Sequence, residues 1–85
     1  MKTIDQCYEI ISALNEEAHS MAWDSWIEAD EEDDEGLRED ASIEQQGYFV
    51  ELFEQLDQET KDACFKYREQ DENFRADFDC WYRGE

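Results

Sequence analysis

The feature that most constrains how this chain can fold is its surplus of acidic side chains. Twenty-six of its 85 residues are Asp or Glu and seven are Lys or Arg, which gives a formal net charge of −19 at pH 7. Every residue from 28 to 35 except Ala29 is acidic. Like charges repel each other in the compact state, and a small domain has little stability to lose. A fold that retains such a field therefore implies that the field acts on something positively charged.

Strongly acidic chains with few aromatic residues are usually disordered, but this chain is rich in aromatic residues. Phe, Tyr and Trp make up 14% of it, and 40% of it is hydrophobic. Each large ring buries about 150–250 Å², so a few rings can build a core in a short chain. Proline is absent and glycine occurs three times, so no segment resembles a linker. We therefore expect residues 1–85 to form a single acidic domain.

The three cysteines, Cys7, Cys64 and Cys80, are odd in number and far apart. The absence of a C-x-x-C pair argues against a zinc site or a redox motif, and this usage is typical of reduced thiols in a cytosol. No stretch has the length and apolarity of a signal peptide or a membrane span, and an anionic membrane surface would repel the chain. We expect a cytoplasmic protein of the host cell that has no cofactor and does not bind membranes.

Apolar residues recur at steps of three and four, which predicts an all-α fold, a small bundle of three to four helices with an acidic loop. Thr3 can cap a first helix whose apolar face runs from Ile4 to Ala22 and continues toward Trp26. Like charges four residues apart destabilise a helix. Residues 29–39 are therefore predicted to form a loop or a frayed helix end.

Three further helices are predicted from their capping residues. Gly36 marks a break, and the Ser-Ile-Glu-Gln sequence that begins at Ser42 has the form of a capping box. Asp57 and Asp71 are in position to cap a third and a fourth helix, and Gly84 stands where the last helix should stop. The residues expected in the core are Ile11, Leu14, Val50, Phe53, Ala63, Phe74, Phe78 and Trp81.

Two features invite a chemical interpretation that their surroundings do not support. Residues 30–36 resemble a calcium-binding loop, but with Asp30 in the first position the glycine falls one place late. With Glu31 first, Ser42 occupies the position that needs a bidentate Glu. His19 is the only histidine, and no nucleophile elbow or phosphate-binding loop accompanies it. We predict no metal site, no catalytic residue and no enzymatic activity.

The amount of charge favours mimicry of DNA. Duplex DNA carries one negative charge per roughly 1.7 Å, so nineteen charges match about 32 Å, which is close to one helical turn. Helical carboxylates three or four residues apart stand about 5–6 Å from each other, a spacing comparable to that of backbone phosphates. The expected partner is a basic nucleic-acid-binding protein, such as a subunit of a restriction–modification or CRISPR complex, and not nucleic acid itself. The predicted partner-binding residues are Asp24, Glu28, Asp30, Glu31, Glu32, Asp33, Asp34, Glu35, Glu51, Glu54, Asp57 and Asp62.

Aromatic side chains near the acidic run are further candidates for partner contact, because Trp and Tyr are enriched at binding hot spots. Trp81 and Tyr82 fit the apolar stripe of the last helix, and core packing is the better interpretation of Trp81. Only one of Trp23 and Trp26 aligns with the apolar face of the first helix. The other is available to touch a partner.

The C-terminal part of the chain resembles a known family. Residues 59–67 read ETKDACFKY, Phe74 follows, and residues 78–85 read FDCWYRGE. This pattern is similar to a stretch of the ArdA antirestriction proteins, in which a helix with an Ala and a following aromatic residue precedes a Phe-acid-x-x-Tyr-x-Gly-Glu segment. The preceding helix, Ile43–Leu56, also looks like the helix that comes before this segment in the family, although less specifically, so the resemblance covers about the last half of the chain. It implies a DNA mimic that occupies the DNA groove of type I restriction–modification enzymes, although members of that family are longer and their dimer contacts lie outside the matched segment.

Other functions remain open from the sequence. A phage or plasmid counter-defence protein directed at another enzyme, including a CRISPR effector, fits the charge equally well. An immunity or antitoxin-like protein that neutralises one basic nuclease would concentrate its charge on one face and use one or two aromatic hot spots. A DNA mimic should instead spread its carboxylates along an elongated surface. A non-specific acidic structural module is the simplest alternative.

Overall fold

The computed structural model describes residues 2–84 and is helical throughout, with no strand in that range. Met1 and Glu85, the last residue of the ArdA-like segment, lie outside the described residues. The all-α class is confirmed, but residues 2–84 form five helices and not three to four. The helices are α1 (Ile4–Met21), α2 (Trp23–Glu32), α3 (Glu35–Glu54), α4 (Gln58–Gln70) and α5 (Glu72–Arg83).

Helix α3 is the spine of the molecule. At 20 residues it is about 30 Å long. Helices α1 and α2 follow each other along it, and the α4–α5 pair packs against α1 and against α3. Helix α2 packs on α3 and makes no comparable contact with α4 or α5. The result is an elongated body with extents of 45 × 23 × 16 Å.

The hydrophobic core is largely aromatic and joins α4 and α5 to the rest. Phe53 of α3 lies 5.4 Å from Phe78 and 5.2 Å from Tyr82 between ring centroids, both in edge-to-face geometry. Phe74 extends this cluster and meets Tyr8 of α1 at 5.8 Å. Such pairs add to the stabilisation that ring burial already provides.

A different kind of packing joins α2 to α3. The buried residues here are the alanines Ala22, Ala29 and Ala41, and none of them belongs to the aromatic cluster. Alanine allows two helices to approach closely, but it buries little apolar area. Helix α2 is therefore held with less hydrophobic stabilisation than the helices around the aromatic core.

Four predicted helix ends are confirmed. Thr3 and Gln6 form a reciprocal capping box at the start of α1. Asp57 caps α4 and Asp71 caps α5, each accepting a backbone N–H three residues later. Gly84 ends α5 in the left-handed conformation at φ 74°, which glycine adopts without strain.

The first helix does not continue to Trp26, which the apolar pattern had left open, because α1 ends at Met21 and α2 begins at Trp23. Ala22 serves as the C-cap of α1 and the N-cap of α2, with φ −95° and ψ 11°. Its N–H still bonds the carbonyl of Ala18, and its own carbonyl accepts from Trp26. The apolar pattern runs through this joint unbroken, so periodicity could not reveal it.

The predicted acidic loop at residues 29–39 is also wrong. Helix α2 continues to Glu32, and after a two-residue turn α3 begins at Glu35. The break lies at Asp33 and Asp34 and not at Gly36, which is inside the first turn of α3. The backbone N–H of Gly36 donates to the capping carboxylate of Asp34 at 2.8 Å.

Two further sequence predictions about α3 need correction. Ser42 is an exposed residue inside the helix and not its cap. Val50 is only half-buried, and the buried position is its neighbour Phe49, because the inward face of α3 carries Ala41, Phe49 and Phe53 at multiples of four residues.

The remaining core predictions are mostly confirmed. The buried ones are Ile11, Phe53, Ala63, Phe74 and Phe78. Leu14 and Trp81 are half-buried and pack against the cluster from its edge.

An ion pair fastens α4 to α5. The guanidinium of Arg68 donates to Asp79 through Nε at 2.6 Å and through Nη2 at 3.2 Å. Both side chains are mostly buried, at 16% and 13% exposure. The hydrogen bond from Arg68 is the main cause that lowers the pKa of the Asp79 carboxyl, and burial of the carboxyl opposes it.

Replacing Asp79 with Asn should lower the melting temperature (Tm), on the order of 10 °C near neutral pH, because the change removes a bidentate, charge-assisted hydrogen bond. Since the folded-state pKa lies below the unfolded value of about 3.9, the stabilisation is complete above that value and is lost as the pH falls through the folded pKa. The difference in Tm between wild type and D79N should therefore be constant above about pH 5 and shrink below about pH 4. The control is Asp77→Asn on the same helix; an equal effect of both changes would contradict the assignment.

Candidate interaction surface

The negative charge is distributed very unevenly along the fold. Residues 3–56, which contain α1, α2 and α3, carry seventeen acidic residues and one basic residue, a net charge of −16. Residues 57–84, which contain α4 and α5, carry eight acidic and five basic residues, a net charge of −3. The α4–α5 pair is therefore nearly balanced, and the rest of the molecule carries the field.

The charge is densest in the hairpin formed by α2 and the beginning of α3. We call residues 23–41 the acidic arm. It contains ten acidic residues and one basic residue, a net charge of −9. Its length is set by the ten residues of α2, about 15 Å. Duplex DNA of that length carries about nine negative charges, so the linear charge density of the arm equals that of DNA.

The tip of the arm is shaped by its own carboxylates. Asp33 adopts the left-handed conformation at φ 49°, which Asp tolerates better than most residues, and this reverses the chain. Asp34 then accepts the N–H groups of Gly36 and Leu37. Arg38 reaches back from α3 and donates to Asp33 at 2.8 Å, and this hydrogen bond raises the pKa of the arginine. The single basic residue between residues 3 and 56 is thus used inside the tip.

Several carboxylates of the arm stand where they weaken the helix that carries them. Glu31 and Glu32 occupy the last turn of α2, which has no basic residue. Acidic side chains are unfavourable at this end because the helix dipole is negative there. Both side chains are exposed to solvent. Local stability does not explain them, and residues that break a local rule are commonly found at functional sites.

All twelve predicted contact residues are exposed, but they fall into two groups. Eight lie in the acidic arm, from Asp24 to Glu35. The other four surround the junction of α3 and α4, where Glu54 is nineteen residues or about 29 Å along α3 from Glu35. The members of this second group are Glu51, Glu54, Asp57 and Asp62.

Three of those four carboxylates serve the fold. Glu54 accepts the Tyr82 hydroxyl at 3.0 Å and pairs with Lys61 at 3.7 Å. Asp57 accepts the backbone N–H and the hydroxyl of Thr60, and the hydroxyl contact is the main cause that lowers the pKa of this carboxyl. The amide of Gln58 donates to the carboxylate of Asp62 at 2.7 Å. The acidic arm is therefore the stronger candidate surface.

Sequence reasoning missed part of the arm. Glu39 and Asp40 are exposed on the α3 side of the hairpin, but neither is among the predicted contact residues. Counting charge separately for each predicted helix, and not for the whole chain, would have found the asymmetry. Trp23 is the exposed member of its pair, at 52%, and two other large apolar side chains are exposed nearby in the chain, Met21 at the end of α1 and Ile27 in the arm.

Trp26 is the half-buried member of that pair, and its position is fixed by Gln45. The indole Nε1–H donates to Gln45 Oε1 at 2.9 Å, and the amide of Gln45 donates to Asn15 Oδ1 at 3.1 Å. His19 Nδ1 lies 3.0 Å from the same Gln45 oxygen. Because that oxygen can only accept, Nδ1 must carry a proton. One glutamine thus joins α1, α2 and α3, and His19 has a structural position in this network.

A second contact ties α2 to α3. Both carboxylate oxygens of Glu44 are used, one by the hydroxyl of Ser25 and the other by the hydroxyl of Tyr48 at 3.0 Å. The hydrogen bond that the Tyr48 hydroxyl donates to Glu44 is also the main cause that raises the pKa of Tyr48. Hydrogen bonds of this kind supplement the small alanine contacts that hold the arm.

Neither a metal centre nor a membrane segment is found between residues 2 and 84. Despite the number of carboxylates, no three His, Cys, Asp or Glu side chains in this range converge as metal ligands would. None of the five helices combines the length and the apolarity needed to cross a bilayer.

Comparison of the chain with protein-family models, with curated proteins and with solved structures finds no match.

Neutralising Glu31 and Glu32 together as Gln should raise the Tm by a few degrees at low ionic strength, because both changes remove repulsion at the negative end of α2. The gain should shrink as salt approaches 1 M, where the Debye length falls to about 3 Å. Asp24→Asn is the matched control, since Asp24 stands at the favourable N-terminal end of α2 and its neutralisation should not stabilise. Thermal melts that show equal gains for both variants would contradict this interpretation.

Proposed function

We propose that this protein is a DNA mimic that inhibits a nucleic-acid-binding enzyme by occupying its DNA groove. The observation that carries the proposal is the acidic arm, whose net charge of −9 over about 15 Å equals the charge density of duplex DNA. The whole molecule is elongated, as a mimic should be, with a long dimension of 45 Å. The target is a basic host-defence enzyme, either a restriction–modification complex or a CRISPR effector, in the cytoplasm.

Electrostatics accounts for how such an inhibitor would work. A surface with many carboxylates steers a basic groove toward itself, and association is then fast and sensitive to salt. The binding free energy is distributed over many exposed carboxylates, so a single neutralisation weakens binding little. Inhibition is stoichiometric, because the protein occupies the groove and does not modify the target.

The type I restriction–modification enzymes are the first targets to test. The resemblance to ArdA proteins suggests them, but its more specific motifs fall on α4 and α5, where Phe74, Phe78 and Tyr82 pack in the aromatic core. That segment is nearly neutral. The acidic arm lies outside it, so the proposal of mimicry depends on the charge and shape of the arm and not on the resemblance.

A second candidate function is supported by exposed apolar side chains in and next to the arm. Trp23 and Ile27 of the arm are exposed, as is Met21 at the end of α1, and an immunity-type protein would use such an aromatic residue as a hot spot against one basic nuclease. The two functions differ in how the binding free energy is distributed. A mimic spreads it over the carboxylates, and an immunity protein concentrates it on one or two side chains.

The test of mimicry is competition with DNA. A purified type I restriction–modification enzyme and a CRISPR effector are each titrated with the protein, and the binding of a labelled duplex is measured. We expect the bound duplex to fall with the ratio of inhibitor to target and to recover with excess unlabelled DNA. A target that binds the protein and its DNA at the same time, with neither affinity reduced, would rule out mimicry.

Neutralising the arm should weaken binding at least a hundredfold, because it removes charge at the place where density matches DNA. The variant carries Gln at Glu28, Glu31, Glu32 and Glu35. Its matched control carries Gln or Asn at four exposed or half-exposed acids of α4 and α5 that lie outside the arm and outside the predicted contact residues, namely Glu59, Glu69, Glu72 and Asp77. The control should bind within a few fold of wild type. Equal losses in the two variants would show that only the total charge matters.

Replacing Trp23 with Ala separates the two candidate functions. The side chain is half exposed, so the fold should tolerate the change, which circular dichroism verifies. A mimic should lose less than about tenfold in affinity for its target. A loss larger than that of the arm-neutralised variant would instead favour an immunity-type interface.

A further inference from the structure

A cavity of about 370 Å³ lies between α3 and the C-terminal end of α5, and side chains of α1 and α2 complete its wall. This volume is at the lower end of the range of about 300–1,000 Å³ that is typical of ligand pockets. The lining combines two indoles, an isoleucine, a carboxylate and side-chain amides. The lining residues that matter here are Asn15, Trp26, Glu39, Ile43, Gln46 and Trp81.

The aromatic walls of the cavity are held in place. Trp26 is fixed by the hydrogen bond from its Nε1 to Gln45. Trp81 packs against Phe49, with ring centroids 6.2 Å apart. Ile43 is 59% exposed at the cavity, so an apolar surface faces solvent there. These walls suit a flat or elongated apolar group that enters from outside.

The polar groups of the cavity present acceptors. Gln45 Oε1 already receives two donors, from Trp26 and His19, and is saturated. Asn15 Oδ1 accepts from Gln45 and retains a second lone pair. The Gln46 Nε2 group donates to the carbonyl of Tyr82 at 2.9 Å, and this contact fixes the amide so that its oxygen serves as the acceptor.

Charge selects among the possible ligands. Glu39 supplies a carboxylate to the cavity, and none of the described lining residues is basic. The cavity adjoins the acidic arm, and Glu39 itself belongs to the arm. A cationic group with apolar or planar character is therefore favoured over a neutral or anionic one.

We propose that this cavity binds an arginine side chain of the target protein. The inference rests on the proposed function, because an enzyme that holds DNA in a groove presents arginine there. The guanidinium stacks on an indole of Trp26 or Trp81, pairs with the carboxylate of Glu39, and donates to the oxygens of Asn15 and Gln46. Arginine is preferred over lysine because its guanidinium is planar, stacks on aromatic faces and offers five donors in a fixed fork.

The test uses two small probes, N-acetyl-arginine methylamide and N-acetyl-lysine methylamide, at the same ionic strength. The indole N–H signals of the three tryptophans are followed by NMR in the full-length protein. We expect the arginine probe to shift the Trp26 and Trp81 signals saturably, with at least threefold higher affinity than the lysine probe, and to leave Trp23 unshifted. Equal affinities of the two probes, or equal shifts of all three indoles, would overturn the proposal.

Cys80 provides an independent readout because it also lines the cavity. Cys7 and Cys64 are buried, and burial raises the pKa of Cys7 and raises that of Cys64 to about 12, so a thiol reagent should reach Cys80 first. The arginine probe should slow the alkylation of Cys80 by iodoacetamide, and the lysine probe should slow it less. An alkylation rate that the arginine probe leaves unchanged would contradict occupation of the cavity.

Two substitutions at neighbouring exposed positions of α3 complete the test. Glu39→Gln should weaken arginine binding at least threefold, and Asp40→Asn, which removes the same charge outside the cavity, should leave it unchanged. Equal effects would mean that the probe senses only the general field. The outcome is separable from the proposed function: arginine binding without competition against DNA would reject mimicry alone, and competition without arginine binding would reject this site alone.

Discussion

Repulsion among the carboxylates of residues 3–56 is the constraint to which the rest of the structure responds. A net charge of −16 in this part of the chain opposes its own compaction, and a domain of this size has little stability to spare. The packing that offsets this repulsion lies mainly where α4 and α5 meet α1 and α3. The aromatic core around Phe53, Phe74 and Phe78 anchors α1 and α3 to the nearly neutral α4–α5 pair. The Arg68–Asp79 bridge fastens that pair, which carries a net charge of only −3.

The acidic arm is held in place by small buried residues and hydrogen bonds and not by an aromatic core. Its buried residues are alanines, and its specificity comes from hydrogen bonds, above all those of Gln45 and Glu44. Each of these hydrogen bonds fixes the position of α2 against α3 without burying a large hydrophobic area. The arm is consequently held to the rest of the molecule with little hydrophobic burial, and the carboxylates at the C-terminal end of α2 weaken it further. This distribution fits a protein whose charge serves a partner and whose stability is supplied elsewhere.

The Gln45 network connects the arm to the cavity. It holds Trp26 as part of the cavity wall and aligns Asn15, and in the same contacts it positions α2 against α1 and α3. The proposed arginine site and the proposed mimic surface therefore share one structural support. A partner that entered the cavity with an arginine would meet the arm's carboxylates alongside, which would add chemical specificity to an otherwise general electrostatic attraction.

The sequence by itself determined the helical class, the capped ends at Thr3, Asp57, Asp71 and Gly84, and the exposure of the predicted acidic residues, because each depends on local chemistry and periodicity. It also determined most of the core. Tertiary structure decided that residues 29–39 are mostly helical, since repulsion along α2 is offset by packing of Ala29 and by the bond from Arg38, which no local rule includes. It also decided the joint at Ala22, the choice of Phe49 over Val50, and the convergence of Asn15, Trp26, Glu39 and Trp81 on one cavity. These features depend on how the helices pack against one another, and the pattern of a single helix does not contain that information.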